Sequence, residues 1–151
     1  MSDMKARRYN YPHQLEGDFD ALLGDIRSML LGGRYILTPE VSAFETQFAA
    51  YVGTRFCRGV NTGTDAVMLA LMALGLRPGD EVVTQANTFN ATVAAICLAG
   101  AAPVLVDATE DSFLIDADQI PGVIGSRTRA LLPVHLYGKA TPMSSILDLA
   151  K

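Results

Sequence analysis

The sequence predicts an α/β fold of three layers, α/β/α, with helices covering both faces of a mainly parallel sheet. Three observations carry that expectation. Beyond Gly53, short apolar runs (FCRGV, EVVT, PVLVD, ALLPVH) alternate with helix-length segments in βαβα order, and parallel neighbours need such crossovers. The runs are continuous instead of alternating, as strands covered on both faces are. Half of the 151 residues are hydrophobic and 19% are charged, the balance of a packed chain; at this length about 70% of the unfolded surface can be buried.

Taken in order, residues 1–12 are polar and aromatic, end at Pro12 and read as an arm. From Leu15, the apolar positions Phe19, Leu22, Leu23, Ile26, Met29 and Leu30 recur at three-to-four spacing, which lays one stripe along an amphipathic helix. Gly32-Gly33 stops it. Thr38 offers an N-cap oxygen, Pro39 fits the first helical position and Glu40 suits the positive helix end. Val41, Phe44 and Phe48 then face inward, and Gly53 is the stop. FCRGV reads as a strand ending near Val60, followed by a helix from about Thr64 whose AVMLALMAL run is apolar on nearly all sides and so expected to be buried. Further helices start at about Asn90, around Asp118 and in PMSSILDLA. The division expected is residues 1–32, arm and amphipathic helix, and residues 33–151, one α/β unit; no repeat or low-complexity tract interrupts it.

Composition narrows the partners. A net charge of −4 without a basic stripe argues against nucleic acid and for small-molecule chemistry. Met4, Lys5, Arg7 and Arg8 are followed by polar residues where an apolar export core would stand, and no apolar run approaches the roughly 18 residues of a membrane span. A cytoplasmic protein is expected, with no membrane partner. Cys57 and Cys97 lack metal or redox spacing and read as core thiols in a reducing compartment. Glu110-Asp111 reads as a solvated loop, and no metal site is expected.

The chemistry is concentrated in GVNTGTDAV, Gly59 to Val67. A strand-to-helix turn of this kind leaves free N–H groups at the helix start, where an anion binds well. Gly63 lets a phosphate approach the backbone, and Thr62 and Thr64 add hydroxyls. The same residues also suit an ordinary capped helix. Neither GxxxxGK[ST] nor GxGxxG is present, so the phosphate is not held as in those nucleotide sites. Phe89, in NTFNATV, reads locally as a core aromatic. His135 tempts as a general base but reads as a structural histidine at a strand end; His13 reads as solvated, and Asp107 as a loop anchor.

Four ordered blocks, GRYILTPEVSAFETQFAAYVG, GVNTGTDAVMLALMALGLRPGDEVVTQANTFNATVAAI, GAAPVLVDATEDSFLID and ALLPVHLYGKATPM, resemble the N-terminal half of the DegT/DnrJ/EryC1/StrS aminotransferases. The resemblance runs from about Gly33 onward and implies the N-terminal part of the large domain of a fold type I enzyme dependent on pyridoxal 5'-phosphate. It implies amination of a nucleotide-linked keto-sugar, with glutamate as the amino donor, by a homodimer in which the arm around Tyr9 and Tyr11 reaches the partner. The family's Ser-Gly-Thr phosphate loop falls on Thr62, Gly63 and Thr64, with Thr62 departing from serine while keeping the hydroxyl. Its Thr-aromatic motif falls on Thr88-Phe89, and implies that Phe89 lies against the pyridine ring.

Transamination also needs a lysine to tether the cofactor and a carboxylate for its ring nitrogen. The lysines are Lys5, Lys139 and Lys151, and none matches the family's tethering position. SSILDLAK ends inside an expected helix, so the chain reads as the N-terminal portion of a longer enzyme, inactive alone. Two alternatives stand beside this: a truncated, non-catalytic phosphate-binding or dimerising module, and a sugar dehydratase relative with another residue at the lysine's position.

Overall fold

The structure is a computed structural model that describes residues 17–151. The expected arm of residues 1–12, with Lys5, Tyr9 and Tyr11, and also His13 and Leu15, lie outside the described residues. The chain divides into two units, one ending at Gly59 and one running from Val60 to Lys151.

The first unit is helical. Helix α1, Phe19–Leu31, follows the apolar stripe and closes at Gly32-Gly33, where the Gly32 N–H bonds the Ser28 carbonyl and the Gly33 N–H the Leu30 carbonyl. Helix α2, Pro39–Val52, opens with Pro39 in its first turn and ends at Gly53 with φ +80°, a conformation glycine adopts without Cβ strain. Thr38 occupies the N-cap and its carbonyl accepts from Val41 and Ser42. Its hydroxyl, however, makes no capping bond and has no partner among the described residues. Glu40 stands in the first turn of the helix. Its carboxyl is held below the usual range chiefly by a backbone N–H at the helix start and further by the Arg34 guanidinium, 3.1 Å away.

Two expectations fail in this unit. Val41, Phe44 and Phe48 are exposed, as is the α1 stripe, and Ala49 is the buried residue of α2. Among the described residues this unit has no sheet of its own to receive them; Phe44 and Phe48 stack on each other at 5.5 Å. FCRGV is not a strand: its segment pairs with no described strand, and the Gly59 N–H donates to Glu45 Oε1 at 2.8 Å. An apolar run becomes a strand only when a neighbouring strand takes its backbone groups.

The second unit carries the sheet. Its elements run α3 (Gly63–Ala73), β1 (Glu81–Gln85), α4 (Asn90–Leu98), β2 (Ala102–Val106), a 3₁₀ turn at Ala117–Gly122, β3 (Thr128–Leu132), a 3₁₀ turn at Leu136–Gly138, and α5 (Met143–Leu149). The strand order is β2-β1-β3, parallel throughout, with Val83 opposite Val104 and Leu131. Successive residues of a strand point to opposite faces, so the adjacent Val82 and Val83 seed two cores. Val82 packs with Leu71, Ile96 and Ala101 from the α3/α4 side. Val83 packs with Val106, Ile115, Ile120 and Ile146 on the α5 side. This is the three-layer α/β/α arrangement, and burying each of these aliphatic side chains contributes roughly 1.5–3 kcal/mol.

Burial follows position in the sheet. β1 is covered on both faces, as expected, whereas Leu105 on the flanking strand β2 is 50% exposed. The expected all-round burial of α3 does not hold: Leu71 is buried, but Leu69, Met72 and Leu74 are exposed, since only one side of the helix meets the sheet and α4. Nor are the thiols in the core. Cys97 follows the buried Ile96 on α4 and so points away from the sheet, and Cys57 is half-buried.

Candidate functional site at the carboxyl edge of the sheet

Parallel strands end at one edge, and helices that return across the sheet begin there. That edge collects Gln85 from β1, the Asp107 turn after β2 and the Val134–Thr141 loop after β3. α4 starts five residues past Gln85, and α3, packed beside α4, starts at the same edge.

Thr62 is the N-cap of α3. Its backbone is extended (φ −145°, ψ 163°), and its Oγ1 accepts the Asp65 N–H at 3.1 Å. The hydroxyl proton is then left to donate elsewhere. Helix geometry leaves the Gly63 and Thr64 N–H groups without an intrahelical carbonyl. A Cβ built at Gly63 would meet nothing within 4 Å, so open space stands where a phosphate oxygen would approach. The cap reading and the cradle reading thus describe one geometry: the cap consumes the Asp65 N–H and leaves the two before it. Asp65 already places one carboxylate in the first turn, so a bound anion is held there by directed donors more than by net charge.

Phe89 is the residue before α4, and 72% of it is exposed. The local reading of a core aromatic is therefore wrong; the core positions of this segment are Ala95 and Ile96, a turn and a half further on. No ring contact or hydrogen bond joins Phe89 to the Thr62 turn among the described residues; the two share the edge and the packed helix pair. Thr88 Oγ1 bonds Thr92 Oγ1 at 2.9 Å, and the Phe89 carbonyl accepts from the Thr92 N–H, which fixes the entry to α4.

His135 is an exposed side chain whose Nδ1 accepts the Thr141 N–H at 3.0 Å. That contact places its proton on Nε2 and makes the ring a loop staple. Asp107 accepts the Ala108 N–H at 2.8 Å, the loop anchoring expected of it. Glu110 and Asp111 lie exposed in the following turn. Lys139 follows the 3₁₀ turn at the edge, and Lys151 pairs with Asp148 at 2.7 Å.

Two residues of this edge escape sequence reasoning. Gln85 is fully buried, with its Oε1 accepting the Val134 N–H and its Nε2 donating to Asn87 Oδ1. Asn87 in turn donates to the Phe113 carbonyl at 3.0 Å. A polar residue closing an apolar run was the one signal for Gln85.

What the edge offers chemically is a set of backbone N–H and hydroxyl donors at the start of α3 that suit an anion, and an exposed aromatic ring at the start of α4. Those features fit a phosphorylated heterocycle, and the geometry at Gly63 fits its phosphate. The sequence model of the DegT/DnrJ/EryC1/StrS aminotransferase family matches residues 19–151. Over 137 residues the chain is 44% identical to the dTDP-3-amino-3,4,6-trideoxy-alpha-D-glucose transaminase of Streptomyces venezuelae, covering 91% of this chain and 35% of that one. It is 38% identical to the 3-oxo-glucose-6-phosphate:glutamate aminotransferase of Bacillus subtilis (strain 168), covering 88% of this chain and 30% of that one. The crystal structure of NtdA from Bacillus subtilis with bound cofactor PMP superposes with a TM-score of 0.84 at 38% identity, covering 88% of this chain and 31% of that one. The chain thus spans about a third of the length of the relatives it matches.

Proposed function

Because the chain belongs to the DegT/DnrJ/EryC1/StrS aminotransferase family, we propose that it supplies the cofactor-phosphate cradle and one ring face of a pyridoxal phosphate-dependent sugar aminotransferase. The observation that carries this is the start of α3, where a neutral cap leaves two N–H groups beside open space at Gly63. Residues 33–151 are then the N-terminal part of the large cofactor-binding domain, in a cytoplasmic homodimer that aminates a nucleotide-linked keto-sugar at the expense of glutamate.

When bound, the cofactor supplies an electron sink and a carrier for the amino group. This chain's residues do the rest of the holding. The Gly63 and Thr64 N–H groups and the Thr62 and Thr64 hydroxyls bind the phosphate and fix its position at the positive end of α3. Phe89 orients the ring and keeps water from one face of it. His135, with Nδ1 occupied, presents an Nε2–H donor at the edge.

A titration with pyridoxal phosphate, alongside pyridoxal lacking the phosphate, tests the reading. Gly63→Val should weaken binding of the phosphorylated form about tenfold or more, the scale of one lost charge-assisted hydrogen bond. The unfolding midpoint should barely move, because the added side chain enters open space. Unchanged binding would reject the assignment.

A second reading keeps the cradle and drops the transfer. Lys151 is engaged with Asp148, and Lys139 sits where the family does not place its tether, which suits a phosphate-binding or dimerising module or a sugar dehydratase relative. Reduction with borohydride after loading the longest expressible chain of the protein separates them, since only a lysine-tethered cofactor becomes irreversibly attached.

A further inference from the structure

The carboxyl edge holds one side chain that bridges two loops without touching any position assigned to the cofactor. Gln85 ends the central strand with no solvent exposure. Its Oε1 accepts the Val134 N–H at 3.2 Å, from the loop after β3. Its Nε2 donates at 2.9 Å to Asn87 Oδ1, in the turn that leads to Thr88 and Phe89, and lies 3.5 Å from the Phe113 carbonyl. Asn87 reaches the same carbonyl through Nδ2. The amide has one orientation compatible with these partners, since a backbone N–H can meet only its oxygen.

The loop on the far side is closed in the same style. Thr141, 3% exposed, donates its N–H to His135 Nδ1 and its hydroxyl to the Val134 carbonyl at 3.2 Å. Val134 is therefore held from both sides, by Gln85 through its N–H and by Thr141 through its carbonyl. Gln85 is thus bonded both to Asn87, in the turn before Phe89, and to Val134, in the loop that carries His135.

We propose that Gln85 is a positioning residue: a buried amide that couples the turn carrying Phe89 to the loop carrying His135, and so sets the spacing of two walls of the site. Its consequence for cofactor binding rests on the reading of Phe89 given above. Gln85 acts on the ring end of the site; the phosphate end, built from α3, is not bonded to it.

The test uses the 151-residue chain with Gln85→Met, which keeps length and burial but removes both partners, and Gln85→Glu, which keeps an acceptor for Val134 and loses the donor to Asn87. Amide hydrogen exchange is read first. In Gln85→Met, protection at Val134 should fall about tenfold, the scale of one buried hydrogen bond, and the Thr92 amide, which bonds the Phe89 carbonyl, should loosen with it. Val82 and Val83 should stay protected, which shows that the variant is folded. In Gln85→Glu, Val134 should keep its protection while the Thr92 amide that bonds the Phe89 carbonyl loosens.

Binding is read second, with pyridoxal phosphate and with inorganic phosphate as probes. Gln85→Met should weaken the first about tenfold and leave the second within error, whereas Gly63→Val weakens both. The coupling is overturned if Val134 exchange is unchanged in Gln85→Met, or if both probes weaken in parallel. If the wild-type chain binds neither probe while Gln85→Met still loosens both loops, the cofactor reading fails and the coupling stands.

Discussion

The two edges of the sheet are tied by opposite chemistry. At the amino edge, Asp80 pairs with Arg129 at 3.3 Å and Glu81 pairs with Arg127, acids that are 15% exposed against arginines that are 55% and 71% exposed. At the carboxyl edge the ties made by Gln85, Asn87 and Thr141 are uncharged, with Gln85 fully buried, although Asp107 and Lys139 also stand at that edge. Uncharged hydrogen bonds keep their strength as salt is added, whereas exposed ion pairs are screened by it. The Glu81–Arg127 pair stands beside the register irregularity between Glu81 and Val82.

The largest expected effect is at the carboxyl edge. Gln85→Leu leaves the Val134 N–H and the Asn87 amide without their partner in a part-buried setting, which should cost about 3 kcal/mol. Denaturant unfolding at about 0.05 and 0.5 M salt should give the same loss, because no ion pair is involved. A strong salt dependence would break the distinction between the edges.

Next comes Thr62→Ala, which removes the cap acceptor for the Asp65 N–H and should cost about 1 kcal/mol. Thr62→Ser should restore it, since the hydroxyl is what caps. If serine fails to restore stability, the methyl group and not the oxygen is what α3 needs.

Arg129→Ala at the amino edge should cost at most about 1 kcal/mol, and the cost should fade toward zero by about 0.5 M salt. Thermal unfolding across a salt series reads this directly. A cost equal to that of Gln85→Leu would mean that both edges are held alike.

How much of this was legible follows from range. α1, α2 and the helices of the second unit are set by local spacing, caps and glycine stops, and Gly53 closes α2 where its left-handed φ requires glycine. The Thr62 cap was legible for the same reason, because a cap is built from adjacent residues. What escaped depends on residues far apart in sequence. Gln85 meets Val134 across 49 positions, and nothing local marks that pair. FCRGV has the composition of a strand, but strand character belongs to a pair. The apolar faces of α2 and α3 were expected inside because apolar stripes usually are; their cover is a tertiary property that the stripe cannot specify.

The smallest effect contrasts two helix starts. At α3 a neutral hydroxyl caps the helix and the first N–H groups remain open. At α2 the helix supplies its own anion, Glu40, which a backbone N–H and Arg34 hold below the ordinary carboxylate value of 4.5. A folded-state value below the unfolded one means that the carboxylate form is favoured by folding. Its contribution is therefore full above pH 4.5 and is lost as pH falls through the lowered folded value. Glu40→Gln removes that dependence. The stability difference between wild type and variant should be constant at neutral pH and close as pH falls below 4.5, read by unfolding at a series of pH values. No matching acid dependence should accompany Thr62→Ala, because a hydroxyl cap carries no titrating proton. If Thr62→Ala did become milder in acid, Asp65 would be sharing the capping of α3, and the start of that helix would already hold an anion of its own.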